Sequence, residues 1–524
     1  MELLALLLLP LLAGLAIWDD DDSADTEEES GDDVLEPPST EDGSGEDLLD
    51  TPGQDYFMEQ FEAAEWDTYD TGDGEPLFGG SGDDSGAFTG KGIVFGQQGA
   101  DAMVGFDEVT LFGGSGNDWF GALDRSVAYG GAGDDLAAPA GEATVYGGSG
   151  EDTIEAYDYA EAHGDMGNDR LYLGFGESGT DAGYLPAGDA TAYGGSGDDT
   201  LTSNDTGRAF GDSGDDSLAG WEEASLYGGE GSDTLGLFDD AFGKGGVGAD
   251  EIHGFDSSDG RGGSGDDMLY GAGEAVLRGE SGNDTLGVSG EQGGGNASLY
   301  GGAGNDNIFA DDQASGYGGL NEDMLVGDDQ ASMYGGYGDD TISLEDGAEG
   351  YGGAGADLLI ADQGSTAYGG SGDDMLIGAG TAELHGGSGD DQLIAYGGSQ
   401  AFGGEGADRF IIPESSLQTE TAYDALSGDD YIREMGQIED FTTGEDVLQV
   451  ELPEGYTLAE TSVAILPGTS GLPGYVDVEI RLLDGSETDG VVQTIRVASD
   501  GTDITLDDIV ILQSDGTTTA ASAL

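Results

Sequence analysis

The sequence predicts an all-β protein: a parallel β-roll (β-solenoid) of tandem GGxGxD repeats, followed by a C-terminal β cap domain. Three observations predict this fold. The motif, or a variant that keeps its first glycine and its aspartate, recurs nineteen times between residues 79 and 410, the step within each block is 17 residues, and an apolar residue usually follows two positions after the aspartate. Self-similarity at a short fixed period is typical of solenoids, in which each repeat forms one coil and stacks on its neighbours.

The composition restricts the partners of the chain. Its 524 residues include 111 Asp and Glu against 11 Lys and Arg, which gives a formal net charge of −100. This charge makes nucleic acid and anionic lipid poor partners, and no nucleic acid partner is expected. A compact fold must neutralise much of it, and bound multivalent cations would do so. The chain has no cysteine, so disulfides and thiolate metal sites are excluded.

Residues 1–18 form a hydrophobic segment that ends abruptly at four aspartates, Asp19 to Asp22. The apolar run from Leu3 to Trp18 is short for a membrane span and has the length of a signal peptide, although no basic residue precedes it. An export signal and a retained anchor both stay open, and a buried helix is a third, less favoured interpretation. Contact with a membrane is expected only through this segment, and only if it is retained.

Residues 19–78 are predicted to be a disordered acidic linker. Between Asp19 and Glu75 there are 24 acidic residues and no basic one. Such a segment cannot bury enough apolar surface to fold alone.

The repeats at residues 79–410 fall into three blocks, 79–180, 194–278 and 301–410. Insertions separate the blocks, because the repeat that begins at Gly164 runs for 30 residues and the one that begins at Gly279 runs for 22. The sixth position is aspartate in all nineteen repeats. These aspartates are the candidate metal ligands: Asp84, Asp101, Asp118, Asp135, Asp152, Asp169, Asp199, Asp216, Asp233, Asp250, Asp267, Asp284, Asp306, Asp323, Asp340, Asp357, Asp374, Asp391 and Asp408.

Other positions of the repeat predict the shape of the coil. The fourth position is glycine except at Asn321, and asparagine also tolerates a left-handed backbone, so a positive-φ turn is expected there. The eighth position is mostly Leu, Ile, Met or Phe and is expected to point inward. The residue before each repeat is Phe or Tyr in fourteen of nineteen cases, which predicts a stacked column.

The motif also predicts the chemistry of the site. Its glycines let the chain turn sharply and bring backbone carbonyls toward one point, while the aspartate supplies a charged oxygen. Calcium takes six to eight hard oxygens, more than one loop offers, but two loops stacked about 4.8 Å apart could hold an ion between them. The sequence therefore predicts multiple Ca²⁺ ions as cofactors, in a rod of nineteen coils about 90 Å long.

On these repeats, such as GGSGDDTLT at Gly194 and GGSGDDMLIG at Gly369, the chain resembles the RTX, or hemolysin-type calcium-binding repeat, family. The family's usual coil has eighteen residues and glycine-aspartate loops on both edges. Here the second half of the coil lacks the motif, so one calcium ladder along one edge is expected. On the opposite edge the twelfth position is often acidic, as in Asp107, Asp205 and Asp329, which leaves a weaker ion row or a solvated turn as alternatives.

Residues 411–524 are expected to form the β cap, because a solenoid needs an atypical end unit. The alternating segments Tyr475–Leu482 and Val491–Val497 predict antiparallel strands. The segments Ile438–Val450 and Asp503–Leu512 are similar to elements that follow the repeats in RTX proteins. That resemblance implies an uncleaved type I secretion signal in this region.

The expected function is that of a secreted, extracellular, non-enzymatic protein that folds on calcium and has a structural, adhesive or cell-surface role. Its expected partners are calcium ions and a cell-surface or polysaccharide component. None of His163, His253 and His385 lies in a zinc motif, and His163 and His385 fall in the aromatic column. The alternative function is an exoenzyme or toxin that acts on polysaccharide or membrane through the C-terminal region or the insertion at residues 181–193.

Overall fold

The computed structural model describes residues 68–71, 74, 76–174, 189–288, 295–413, 433–452, 461–467, 475–482, 491–499, 504–513 and 516–523. The hydrophobic segment at residues 1–18 and the acidic segment up to residue 67 lie outside the described residues. The described part confirms the predicted all-β fold and the parallel β-roll. Among the described residues, no helix is long and apolar enough to cross a membrane.

The roll is built from short strands that alternate along the chain. In chain order, β1 to β20 are Thr68–Asp70, Leu77–Ser81, Ser85–Thr89, Ile93–Gln98, Ala102–Gly105, Thr110–Ser115, Trp119–Ala122, Val127–Ala132, Leu136–Pro139, Thr144–Ser149, Thr153–Ala156, Glu161–Met166, Arg170–Leu173, Thr191–Ser196, Thr200–Ser203, Arg208–Ser213, Ser217–Gly220, Ser225–Glu230, Thr234–Leu237 and Phe242–Val247. The next nineteen, β21 to β39, are Glu251–Gly254, Asp259–Ser264, Met268–Gly271, Val276–Ser281, Thr285–Val288, Ser298–Ala303, Asn307–Ala310, Ser315–Leu320, Met324–Gly327, Ser332–Tyr337, Thr341–Leu344, Glu349–Ala354, Leu358–Ala361, Thr366–Ser371, Met375–Gly378, Glu383–Ser388, Gln392–Ala395, Gln400–Glu405 and Arg409–Ile412. The remaining strands, β40 to β46, are Arg433–Phe441, Val447–Glu451, Thr461–Pro467, Tyr475–Leu482, Val491–Ser499, Ile509–Leu512 and Thr518–Ala520, with short 3₁₀ turns at Leu506–Asp508 and Ala521–Ala523.

From β4 to β39, each coil contains one strand of six residues and one of four, whereas β2 and β3 have five residues each. Within a block each strand pairs in parallel with the strand 17 residues away, as Leu325 pairs with Ile342 and Tyr317 with Tyr334. The four-residue strands form one sheet and the six-residue strands form the other. The GGxGxD loop turns the chain at one edge, called here the motif edge, and positions eleven to fourteen turn it at the opposite edge.

The core between the two sheets is thin. In a representative coil, Leu269 at the eighth position, Ala275 and Leu277 are fully buried. The eighth-position side chains point inward as predicted, from Met103 to Phe410, because alternate residues of a strand face opposite sides of the sheet. Three apolar side chains per 17 residues bury little surface. The free energy gained from their burial is small compared with the conformational entropy lost when so many glycines are ordered. The motif edge must therefore contribute to stability.

Both insertions leave the motif edge unchanged. The first lies between the end of β13 at Leu173 and the start of β14 at Thr191, and the second between β25 and β26. These places are on the opposite edge. The strands on either side of each insertion still pair in register, for example Leu171 with Leu201 and Leu286 with Ile308.

The first strand corrects one predicted boundary. β1 lies inside residues 19–78, which were predicted to be disordered, and it pairs in parallel with β3. Tyr69 stacks on Phe88, with 5.7 Å between the ring centroids, and the Thr71 hydroxyl donates to the Thr89 carbonyl. Of this segment Thr71 is buried, whereas Tyr69 stays exposed.

The parallel pairing also continues past residue 410, where the repeats were predicted to end. β40 pairs in parallel with β38, and β41 pairs in parallel with β39. β44 and β45 then pair in parallel with β40 and β41, which adds a second further layer. The predicted antiparallel strands are confirmed, since β43 pairs antiparallel with both β42 and β44.

The structure explains why the fourth position of the repeat requires glycine. In Gly248, φ is +144°, and a Cβ at this residue would overlap the carbonyl oxygen of Gly231 in the preceding coil. Asn321 confirms the predicted positive φ, at +83°. The neighbouring bond from the Gly304 N–H to the Leu320 carbonyl is 3.4 Å, whereas the equivalent bond from Gly338 is 3.0 Å. A side chain at this position thus coincides with a wider separation between coils.

We expect the Gly248→Ala substitution to destabilise the roll. The backbone conformation alone costs about 1–3 kcal/mol for a residue with a Cβ, and the overlap with Gly231 forces adjacent coils apart. Denaturant unfolding in calcium should show a lower midpoint. The matched control is Gly287→Ala, where φ is ordinary and a Cβ would lie 3.6 Å from the Tyr270 ring, so the midpoint should not fall. Equal midpoints for both variants would contradict the steric account.

Candidate metal centre

The predicted ligands form one buried column along the motif edge. Eighteen of the nineteen aspartates, Asp101 to Asp408, are at most 4% exposed. Asp84 in the first repeat is part-exposed. The positive-φ glycines turn the chain so sharply that each aspartate points back under its own loop. The structure therefore brings all the predicted residues into a single line.

Each carboxylate uses one oxygen to connect two coils. Oδ1 of Asp101 accepts a hydrogen bond of 2.8 Å from the backbone N–H of Asp84, the aspartate one coil earlier. The same bond recurs at every step up to Asp408, with lengths between 2.7 and 3.0 Å. It also spans both insertions, from Asp169 to Asp199 and from Asp284 to Asp306. The column is thus a continuous ladder of charge-assisted hydrogen bonds.

The other oxygen of each carboxylate has no partner. Oδ2 is buried and unbonded in eighteen aspartates, Asp101 to Asp408. It lies beside the first glycine of its own loop. A Cβ at Gly335 would overlap Asp340 Oδ2 and lie 2.6 Å from the carbonyl oxygen of Gly352 in the next coil. Two acceptors therefore face the same small space, and only a cation or a proton there would make the arrangement favourable.

Burial also alters the ionisation of the column. Burial raises the pKa of Asp135 to about 8 and that of Asp357 to about 7, while the hydrogen bond donated by the preceding N–H acts in the opposite direction. The pKa values of Asp152, Asp199, Asp233, Asp267, Asp323 and Asp391 are likewise raised to about 7, and those of Asp118, Asp169, Asp216, Asp284, Asp340 and Asp408 to about 6. Charged neighbours above and below contribute to several of these shifts. The column therefore resists carrying its full negative charge without a counter-ion.

A second ladder, which the sequence did not predict, runs outside the first. The fifth-position carboxylate or amide accepts the backbone N–H of the fifth residue in the next coil, as Asp339 does from Ala356 at 2.8 Å. Similar bonds join Asp134 to Glu151 and Asp373 to Asp390. Frequent Asp and Asn at the fifth position of the sequence was the available signal. These side chains are exposed, unlike the sixth-position column.

The ladder ends on residues outside the repeats. Oδ1 of Asp446 accepts the backbone N–H of Asp408 at 3.0 Å, and its Oδ2 accepts the N–H of Thr442. Asp440 accepts the N–H groups of Gly403 and Gly404. Both oxygens of Asp446 are thus satisfied, in contrast to the carboxylates of the column. Gly444, Glu445 and Asp446 repeat the second half of the motif, which was the sequence signal for this extension.

The opposite edge has a different chemistry. Its twelfth-position residues adopt positive φ, for example 67° at Asp107, 55° at Asp205 and 42° at Asp329. Short acidic residues tolerate this conformation, so the turn itself accounts for their presence. Two groups of carboxylates, Asp311 with Asp312 and Asp329, and Asp328 with Asp329 and Asp346, have oxygens within 4.8 Å of one another. These carboxylates are part-exposed or exposed, and they have no buried, unbonded oxygen like those of the column.

The aromatic column lies on the outer face of the six-residue strands. Its rings stack with centroid separations of 4.5 to 5.1 Å from Phe78 to Tyr227 and again from Tyr300 to Phe402. His163 and His385 stack within it, as predicted. Each ring covers its neighbours' faces, so the column presents mainly ring edges to solvent. Its contribution is therefore to hold the coils together.

No known protein-family model matches the chain, and no curated protein matches it.

Proposed function

We propose that this chain is an RTX-type calcium-binding protein whose roll is held together by calcium ions along the motif edge. The observation that carries the proposal is the line of eighteen buried, unbonded Oδ2 atoms. The fit to calcium is chemical: beside Gly335, for example, Asp340 Oδ2 and the carbonyl oxygen of Gly352 in the next coil are both hard oxygens. The column Asp84 to Asp408 would hold the ions, which would supply positive charge between coils.

The buried carboxylates and the carbonyl oxygens that they face explain why an ion would be needed. Without it, consecutive buried carboxylates repel one another and their Oδ2 atoms face carbonyl oxygens. Their Oδ1 atoms still align the coils through the N–H ladder, so the site is preorganised along the axis of the roll. Bound calcium would remove the repulsion between these carboxylates and stabilise the stacking of the coils along the motif edge.

The biological setting follows from calcium availability. Sites of the affinity typical of extracellular modules fill at millimolar calcium and stay empty in a low-calcium cytosol. We propose that the protein is secreted, folds outside the cell and is non-enzymatic, with a structural, adhesive or surface role. The region from residue 411 would cap the roll and carry a type I secretion signal. No arrangement of side chains in the described residues favours the alternative of an exoenzyme or toxin.

Calcium stoichiometry on the full chain tests the proposal. Equilibrium dialysis at pH 7.5 should reach about eighteen bound ions per chain, one for each unbonded carboxylate oxygen. Magnesium is the control, because it requires a smaller octahedral shell and loses water reluctantly. Binding of only a few ions, or equal binding of magnesium, would refute the proposal.

One position separates the hydrogen-bonding role of the carboxylate from its ionic role. We expect Asp340→Asn to keep the bond from the Asp323 N–H, which is 2.9 Å long, and to place an amide N–H toward Gly352 O. At pH 7.5 this variant should bind about one or two fewer ions, and at pH 5 it should keep its calcium-free stability, because the amide satisfies both groups. Asp340→Ala should lose both properties.

The matched control for this pair is Asp339→Asn, one residue away in the exposed ladder. It should leave the number of bound ions unchanged. Calcium binding and chemical denaturation of the four proteins measure both quantities. If Asp339→Asn lost as many ions as Asp340→Asn, the calcium site would have to be assigned to the outer ladder.

A further inference from the structure

The four-residue strands carry an apolar strip on their outer face near the C-terminal end of the roll. Positions seven and nine of each coil point outward, and in three coils they include Leu358, Ile360, Met375, Ile377 and Ile394, which we call the apolar strip. Leu358 pairs with Met375, and Ile360, Ile377 and Ile394 follow one another along the sheet. All five are part-exposed.

Ile360, Ile377 and Ile394 occupy the ninth position in three consecutive coils, a run of isoleucines that does not recur farther toward the N-terminus. There the ninth position is mixed, with small or polar residues at Thr202, Ala219 and Gly236 and aromatic ones at Tyr172, Tyr270 and Phe309. Met324 and Val326 extend the apolar surface two coils beyond Leu358, across a gap at Thr341 and Ser343. A solvent-facing column gains nothing for the core from large aliphatic residues, and a contiguous apolar surface is typical of an interaction site.

Acidic residues line the strip on both sides. Along the motif edge lie the exposed Glu322, Asp339, Asp373 and Asp390, and along the opposite edge lie Asp328, Glu345 and Asp362. We call these two rows the acidic rails. The sequence has no Lys or Arg between Arg278 and Arg409, so this part of the chain supplies no basic side chain to pair with them. The surface therefore combines an apolar centre with negative borders.

We propose that the apolar strip and its acidic rails dock a cationic amphipathic helix from another protein. Such a helix would lay its apolar face on Ile360 and Ile377 and direct lysine or arginine side chains toward the rails on both sides. The dimensions agree. The two outward columns are about 7 Å apart, and a helix is about 10–12 Å wide. From Met324 to Ile394 the surface spans five coils and therefore four coil-to-coil steps, about 20 Å, which corresponds to roughly 13 to 16 helical residues.

Charge disfavours two other occupants. A second copy of this chain would bring rails of the same sign against these rails, with a net charge of −100 on each chain. The chain's own apolar run, Leu3 to Trp18, contains no basic residue and leads directly into Asp19 to Asp22. A basic partner gains both from apolar burial and from charge complementarity.

Two synthetic peptides test the proposal against the full chain in 2 mM calcium and about 150 mM salt, where exposed charges are screened. One is an 18-residue leucine-lysine peptide with its leucines on one helical face, and the other has the same composition in scrambled order. The acidic N-terminal segment attracts both equally. We expect the amphipathic peptide to bind about tenfold more tightly, a difference due to the strip.

Variants then locate the binding surface. Ile360→Asp combined with Ile377→Asp should reduce the affinity for the amphipathic peptide to that for the scrambled one. Ile360→Ser with Ile377→Ser should do the same, and it introduces the residue already present at Ser343. Ala219→Asp, in the same column outside the strip, should have no effect. Circular dichroism in calcium verifies that each variant is folded.

Three outcomes would overturn the proposal. These are equal affinity for the two peptides, affinity that survives both double substitutions in folded protein, and a calcium-dependent dimer of the chain that the double substitutions abolish. The last result would assign the strip to a second copy of this protein. None of these outcomes depends on the number of calcium ions bound, so the inference and the proposed function fail separately.

Discussion

Removing calcium from the full chain at pH 8 is expected to abolish most of its β-sheet circular dichroism signal, and restoring millimolar calcium should return it. The physical reason is the column of eighteen buried carboxylates whose Oδ2 atoms have no partner. At calcium ten times above the dissociation constant, each filled site adds about 1.4 kcal/mol, and these contributions accumulate along the stack. The thin core of Leu269, Ala275 and Leu277 per coil cannot replace them.

The titration should be cooperative, because each ion would lie between coils that share a hydrogen-bonded ladder. Magnesium at the same concentration and ionic strength is the control and should leave the chain unfolded. A β-sheet signal that persists in excess chelator at pH 8 would show that packing and the aromatic column hold the roll. The proposed role of calcium would then be wrong.

Lowering the pH is expected to restore the roll without calcium. Burial raises the pKa of Asp135 to about 8 and that of Asp357 to about 7, above the ordinary aspartate pKa of 3.8. Between about pH 4 and 7 the folded column therefore binds more protons than the unfolded chain. Calcium-free stability is then greatest at the acidic end and is lost as the pH rises through 6 to 8. In chelator, the β-sheet signal should be present at pH 5 and absent at pH 8.

The same carboxylates predict the opposite trend for calcium affinity. Protons and calcium would compete for the column, so calcium should bind more weakly at pH 5.5 than at pH 7.5. Replacing several column aspartates by asparagine should flatten the pH dependence in chelator, whereas replacing Asp339 and Asp373 in the outer ladder should not. A chelated chain that is more structured at pH 8 than at pH 5 would contradict both the burial of the column and its ionisation.

The coil could be predicted from the sequence because its determinants are periodic. The 17-residue step places Leu325 beside Ile342 and each sixth-position aspartate beside the next, and the observed register has the same spacing. Alternation along a strand similarly required the eighth position to point inward. Glycine at the fourth position, with asparagine as its one substitute, predicted the positive φ found at Asn321.

The hydrogen bonds of the column were not predictable from the motif. The sequence indicates that aspartates stack, but it cannot distinguish the two oxygens of a carboxylate. Only the structure separates Oδ1 of Asp340, which accepts an N–H, from its Oδ2, which accepts none. The distinction depends on the direction in which the loop turns, and it places the unpaired charge beside Gly352.

The C-terminal boundary was missed because the repeat loses its period there. Asp408 and Asp446 are 38 residues apart, and the described residues end at 413 and resume at 433 between them. The first half of the motif is absent around Asp446, so a search for GGxGxD does not find it. The shorter pattern of Gly444, Glu445 and Asp446, with Leu448 two positions later, does indicate that the roll continues, since Leu448 pairs with Phe410.

The hydrogen bonds of the aspartate ladder all have the same direction, which makes the two ends of the protein unequal. Every N–H bonds to the carboxylate of the following coil, and the last one relies on Asp446. Deleting whole 17-residue units from the beginning would leave a new first aspartate in the situation of Asp84, part-exposed and open to water. Deleting Asp446 would instead leave the Asp408 N–H buried without an acceptor. Whole repeats can therefore be removed from the N-terminal end of the roll, whereas the C-terminal end requires Asp446.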